Sequence, residues 1–274
     1  MNQIALPETV KNLYIAGNVE EIADQAFINT KIEILNLKYC ERLKKISNSV
    51  CGGLSALTEL TLPESIEELG RFSFTVTNIR ALDFSHYLHM REIKNSTFAY
   101  AINLEELTLP PTIHKIQAYA FKETKIRKLD FSNLAHLQEI EPYTFALASY
   151  LEDLKLPNSI KEIGAHAFNS TFIKTLNLQH CVNWKKIKSG TFFNARKLEI
   201  LVLPASIEAV EETAFDGFNK TTKIDFSHCL NLKVANISKG AFFALNEGQI
   251  ILPPNISMQP EWFNLDFGEF EEVV

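Results

Sequence analysis

The stretch LPNSIKEIGAHAF, Leu156–Phe168, decides the fold because the chain writes it four times. LPPTIHKIQAYAF occupies Leu109–Phe121, LPESIEELGRFSF occupies Leu62–Phe74, and LPASIEAVEETAF occupies Leu203–Phe215. The prolines Pro63, Pro110, Pro157, Pro204 and Pro253 stand 47, 47, 47 and 49 residues apart. Ala16, 47 residues before Pro63, lies inside YIAGNVEEIADQAF, a copy without the proline. A fixed period in this range marks a stacked repeat architecture.

Each 47-residue unit is two similar halves. First halves open on LTLP at Leu60 and Leu107, LKLP at Leu154, LVLP at Leu201 and IILP at Ile250. Second halves open on LNLK at Leu35, LDFS at Leu82 and Leu129, LNLQ at Leu176 and IDFS at Ile224. Both continue with an aliphatic pair three apart and a Phe five later: Ile160, Ile163 and Phe168, or Leu137, Ile140 and Phe145. Apolar residues at i and i+2, with polar residues between, predict a short strand with one buried face. A strand recurring every 22–25 residues pairs with its own copy in the next coil, in parallel, about 4.8 Å away. Eleven such strands follow from Leu13 onward, a sheet roughly 50 Å long, and IALP at Ile4 reads as a truncated first coil. In the last unit FDGFNKTTKI and LKVANI are longer than their counterparts. Core positions cannot shift in a stack, so the extra residues belong in loops and the C-terminal coil should be the least regular.

Composition narrows the function classes. Apolar residues make up 46% of the 274 and charged ones 22%, the balance of a soluble globular chain. Phe is in excess, with 20 copies, as expected where every coil has a slot for a phenyl ring. The net charge is −6 and no Lys/Arg cluster stands out, so nucleic acid is a poor partner. No stretch approaches the ~20 apolar residues that span a bilayer. MNQIALPETV lacks the basic start and apolar run of a secretory signal, which predicts a cytoplasmic chain or one secreted without a classical signal peptide.

LPNSIKEIGAHAFNSTFIKTLNL resembles the BspA-type leucine-rich repeat, LP-x-S-[IV]-x-x-I-[GA]-x-x-A-F-x-x-x-x-[IL]-x-x-[IL]-x-[IL]. The match recurs in every first half. Second halves match more loosely and carry the general leucine-rich signature, as in IEILNLKYC ending at Cys40 and IKTLNLQHC ending at Cys181. One departure is Thr30, Thr77, Thr124 and Thr171 where the family often has Cys. The resemblance implies a right-handed α/β-type superhelix, rich in β. A parallel sheet would line its concave face and short extended or helical turns its convex face. It also implies a protein that works by binding: a pathogen or host-associated effector, a scaffold, or a surface adhesin whose export and anchoring segments lie outside this chain.

No catalytic, cofactor or metal pattern competes with that reading. Cys40, Cys181 and Cys229 share one repeat column with Tyr87 and Leu134, and Cys51 stands in a Phe slot. These are expected to be buried thiols. His86, His180 and His228 share the column before it, but at two coils apart or more, about 10 Å at the least, they are too far for a common metal. The tail MQPEWFNLDFGEFEEVV breaks the repeat, and Trp262, Phe263, Leu265, Phe267 and Phe270 suit a terminal cap.

The expectation is one domain over 1–274: about five double repeats over roughly 13–254, then a cap or tail over 255–274. It is a monomer without cofactors. Its partner would be a protein met on the concave sheet. The outward strand positions name the site. Glu59, Asp83, Glu106, Asp130 and Asp153 are relieved only by Lys128 and Lys155, and the same columns turn apolar at Ile200, Val202 and Ile251. Charges this close add their fields, so a protein partner with a basic surface, such as a host protein, is steered there.

Overall fold

The computed structural model describes residues 7, 9–218 and 221–264. Each half-repeat is one coil, and each coil contributes one strand to a long row. The row runs Asn12–Ala16, Ile34–Tyr39, Glu59–Thr61, Ala81–Asp83, Glu106–Thr108, Lys128–Asp130, Asp153–Lys155, Thr175–Asn177, Ile200–Val202, Ile224–Asp225 and Ile250–Ile251. These are the eleven positions the LxL pattern marks. All pairings are parallel and leucine faces leucine: Leu35 opposite Leu60, Leu82 opposite Leu107, Leu129 opposite Leu154, Leu176 opposite Leu201. IALP at Ile4 lies outside the described residues.

The row is less continuous than its spacing suggests. Ladders form across the 25-residue steps, such as Leu82 to Leu107, and lapse across 22-residue steps such as Leu60 to Leu82. Only the first short step, Leu13 to Leu35, keeps its ladder. A second row carries the continuity instead. Lys45–Ile46, Glu68–Leu69, Glu92–Ile93, Lys115–Ile116, Glu139–Ile140 and Glu162–Ile163 form one six-stranded sheet. Its steps, from Ile46 to Leu69 to Ile93 and onward, are 23 or 24 residues, so successive coils stay in register. This second sheet is built on the second member of each aliphatic pair, such as Ile140 and Ile163, for which the sequence reading named no strand.

Of the expected extended or helical turns the described residues show mainly the extended kind, with three short 3-10 helices and no α-helix, so the α/β description does not hold. The backbone around each Phe explains why. Tyr143 and Leu147, two residues either side of Phe145, have φ of 59° and 60°, and His166 and Ser170 bracket Phe168 in the same way. Left-handed residues interrupt an α-helix. Here they turn alternate N–H groups along the stack: those of Tyr143, Phe145 and Leu147 donate to the carbonyls of Ala165, Ala167 and Asn169, at 3.1, 2.9 and 2.8 Å. Placing a non-glycine residue there costs of order 1 kcal/mol or more, offset by a bond between coils at each position.

The core lies between the rows. Phe74, Phe98, Phe121, Phe145, Phe168, Phe192 and Phe215 stack face to face, with centroids 5.4–5.7 Å apart. Phe242 continues the column, and Trp262, buried and edge-on at 6.1 Å, stands at its end with Phe263 beside it. Leu265, Phe267 and Phe270 of the expected cap lie outside the described residues. The repeat's small polar letters also have physical reasons. Ser65, Thr112, Ser159 and Ser206 donate to carbonyls one coil back, at 2.6–2.7 Å. Thr77, Thr124 and Thr171, where the family often has Cys, donate to the carbonyl of the Phe three residues earlier. The short helices, Val234–Asn236, Glu247–Gln249 and Pro260–Phe263, all lie in the C-terminal coils and are of the 3-10 type. The first of them takes up LKVANI, after which Ile237 still bridges Val210.

Candidate interaction face

The outer face of the long row has two columns of outward side chains per strand. Glu59, Glu106, Asp153 and Ile200 occupy the first column, 47 residues and two coils apart. Asp83, Asp130, Val202 and Ile251 occupy the second. All five carboxylates are exposed. Ile200 is 53% exposed and Ile251 39%, while Val202 is half-buried.

The two columns of carboxylates are not equivalent. Asp83 Oδ1 accepts the N–H of Ser85 at 2.8 Å, and Asp130 Oδ1 that of Ser132 at 3.0 Å. Asn36, Asn177 and Asp225 do the same for Lys38, Gln179 and Ser227. This is an Asx turn, which explains why the column takes Asp or Asn where a strand must leave the sheet. The backbone N–H of Ser85 holds the Asp83 carboxyl below the usual carboxylate range. Asp130 is lowered by the Ser132 hydroxyl and N–H and further by Lys155, whose Nζ lies 3.1 Å from Oδ2. Glu59, Glu106 and Asp153, by contrast, enter no side-chain hydrogen bond or ion pair among the described residues, although Lys128 stands opposite Asp153 in the register. Sequence reading placed all five in one stripe. It missed that two of them close the turns of the fold.

A hollow of about 740 Å3 opens on this face around Asp153, Lys155, Asn158, Thr175, Asn177 and His180. A second, of about 620 Å3, lies near the C-terminal end, between Val182, Val202, Ala205 and His228. His180 and His228 are exposed rim residues, each with Nε2 hydrogen-bonded to a carbonyl one coil back, Leu156 at 2.7 Å and Leu203 at 2.9 Å. The four cysteines are buried and unbridged. Burial pushes the thiols of Cys51 and Cys181 up to about 12. No three His, Cys, Asp or Glu side chains gather as a metal site would need among the described residues.

Stacked coils with a leucine in every strand and a phenyl column behind them define a leucine-rich-repeat solenoid. The chain belongs to the BspA type leucine rich repeat family, whose region model of 6 copies matches residues 7–89, 87–184 and 185–265. Among solved structures, a leucine-rich repeat protein from Bacteroides ovatus is similar over 89% of this chain and 75% of its own, at 20% identity and a TM-score of 0.59. A T. pallidum leucine rich repeat protein matches 74% of this chain and 79% of its own, at 22% identity and a TM-score of 0.44. A leucine rich cell surface protein from Faecalibacterium prausnitzii matches 84% and 78%, at 19% identity and a TM-score of 0.40. No curated protein matches the chain.

Proposed function

We propose that this solenoid is a non-catalytic module that binds a protein across the outer face of its long row of strands. The observation that carries this reading is the first outward column. Its carboxylates Glu59, Glu106 and Asp153 make no side-chain hydrogen bond or ion pair among the described residues, and Ile200 continues the column as an exposed aliphatic residue. An apolar anchor beside unpaired charge is the composition of an interface: the anchor gains from desolvation, and the charges steer encounter. The partner presents a basic surface to the middle coils and an apolar one to the C-terminal coils. The proposed setting is a cytoplasmic scaffold or a host-directed effector, and detection of the chain on intact cells would favour the adhesin instead.

Substitutions on a captured partner complex test the face. Ile200→Asp should raise the dissociation rate strongly. Glu106→Lys should mainly slow association, with an effect that fades in high salt. Glu106 is a better probe than Asp130, whose replacement would also open an Asx turn. Parent-like binding by both variants would remove the outer face from consideration.

A further inference from the structure

A different surface, around the corner from the row, carries a second feature. The position three residues before each strand lies on the flank of the solenoid, half-buried at Ala56, Asn78, Asn103 and Lys125 and exposed at Tyr150, Phe172 and Lys197. It is filled by small or polar residues in early coils, Ala56, Asn78 and Asn103. In four successive coils it then reads Lys125, Tyr150, Phe172 and Lys197. Tyr150 is 44% exposed and Phe172 46%. Nothing in the repeat calls for a ring there, since other coils fold with Ala or Asn at the same place. Lys125 Nζ lies 5.8 Å from the centroid of the Tyr150 ring, and Lys197 Nζ lies 6.0 Å from that of Phe172. One residue before the strands, Arg127 and Lys174 flank Glu152, and Arg127 holds that carboxylate at 3.4 Å. Tyr150, Phe172, Arg127, Glu152, Lys174 and Lys197 border a hollow of about 470 Å3. Three cations thus line the hollow with Glu152, while Glu199 continues the Glu152 column one ladder beyond Lys174, on a chain whose net charge is −6.

We infer that this flank is a second docking site, taking an acidic protein segment that carries an aromatic side chain. Charge complementarity selects the acidic partner: Arg127 and Glu152 satisfy each other, whereas Lys174 makes no ion pair among the described residues and Lys125 and Lys197 rest on rings. Exposed aromatic rings among Arg and Lys are also the side chains that dominate binding hot spots. The ammonium groups of Lys125 and Lys197 lie over ring faces, and those are the flat surfaces a sugar or a nucleobase would stack on. What remains open is the hollow between the rings, which suits a partner's side chain packed edge-on with carboxylates held by the surrounding lysines.

The test uses the full chain and a labelled peptide, EEFEEFEE, with binding followed by fluorescence anisotropy. Phe172→Ala should weaken binding about fivefold, and Lys174→Glu with Lys197→Glu about tenfold or more. EEAEEAEE should bind more weakly than the parent peptide, and the uncharged truncation Ile200→Ala should leave the binding intact, which separates this site from the outer face. All four substituted positions lie at the surface, and far-UV circular dichroism identifies any variant that has lost its fold. The proposal is overturned if EEFEEFEE does not bind, if the flank variants bind it like the parent, or if polygalacturonate or polyadenylate displaces it and binds more tightly.

Discussion

Two columns of this solenoid repeat one side-chain type, for opposite reasons. The phenyl column recurs in every coil from Phe74 to Phe215, is buried, and stacks on itself. The carboxylate column of Glu59, Glu106 and Asp153 recurs in every second coil, is exposed, and makes no side-chain hydrogen bond or ion pair among the described residues. Regularity alone does not distinguish them; contact does. The Asp83 and Asp130 column falls between, exposed like the second and structural like the first. Substitutions in the three columns should therefore differ by the whole range of single-site effects.

The largest effect is expected at Phe145, whose ring stacks on Phe121 at 5.7 Å and on Phe168 at 5.6 Å. Phe145→Ala should destabilise by about 3–5 kcal/mol, the cost of deleting a core ring and leaving a cavity. Urea unfolding checks this. A loss below about 1 kcal/mol would mean that the column does not act as a continuous stack.

Cys51 interrupts the phenyl column between Phe27 and Phe74, and a next-largest effect follows from its burial. Its thiol is raised to about 12 by desolvation, against about 8.5 in the unfolded chain. The contribution is fully present below the unfolded value and is lost as pH rises from there through the folded value. By pH 10 the unfolded state should have gained about 2 kcal/mol from this thiol. Stability measured from pH 7 to 10 should fall, and fall less in Cys51→Ala. Equal slopes would place the thiol in contact with water. The four thiols should react with a thiol reagent only on denaturation.

Much of this was legible because a stack repeats its own errors away: one misread residue is corrected by four counterparts. The strand positions, the buried Phe98, Phe145 and Phe192, and the buried thiols all follow from column membership. The turn geometry was not legible. Tyr143, Leu147 and His166 are not residues that announce a left-handed backbone, as glycine would; the bonds between coils impose it. Gly190 is the exception. It lies beyond the stacked rings of Tyr119, Tyr143 and His166, where a Cβ would collide with the His166 imidazole. The candidate site was legible as a stripe and not as two columns, because Asp serves a turn and a partner equally well until its hydrogen bonds are seen. Tyr150 and Phe172 were passed over because they stand outside the LxL positions, although alignment on the strand starts puts them in one column.

A smaller effect sharpens the distinction within the stripe. Asp83→Ala removes the acceptor for the Ser85 N–H and should cost about 1 kcal/mol. Asp83→Asn should cost little, since Asn36 and Asn177 make the same turn in other coils. The carboxyl is held below its usual range by that N–H. Its contribution is therefore present above about pH 3.9 and is lost as pH falls through the lower folded value. Asp83→Asn should accordingly flatten the acid limb of the stability curve, while Asp83→Ala lowers the curve at neutral pH. If the two substitutions are equally costly at neutral pH, the turn is not what this column supplies.

The smallest effect on folding is expected at Glu106, and it bears most on the proposed function. Its neighbour across the ladder is Ala81, and its carboxylate accepts no hydrogen bond among the described residues. Removing an exposed, unpaired charge from a surface of like charge changes stability by no more than about 0.5 kcal/mol. Replacing Glu59, Glu106 and Asp153 together by Gln, Gln and Asn should leave the unfolding midpoint in place or raise it slightly, because their mutual repulsion disappears. The same triple variant should lose much of the salt dependence of partner association, since the steering field is gone while the apolar anchor at Ile200 remains. A triple variant that unfolds early would show that these carboxylates belong to the fold, as Asp83 and Asp130 do, and would leave the outer face without an unassigned charge to recognise a partner.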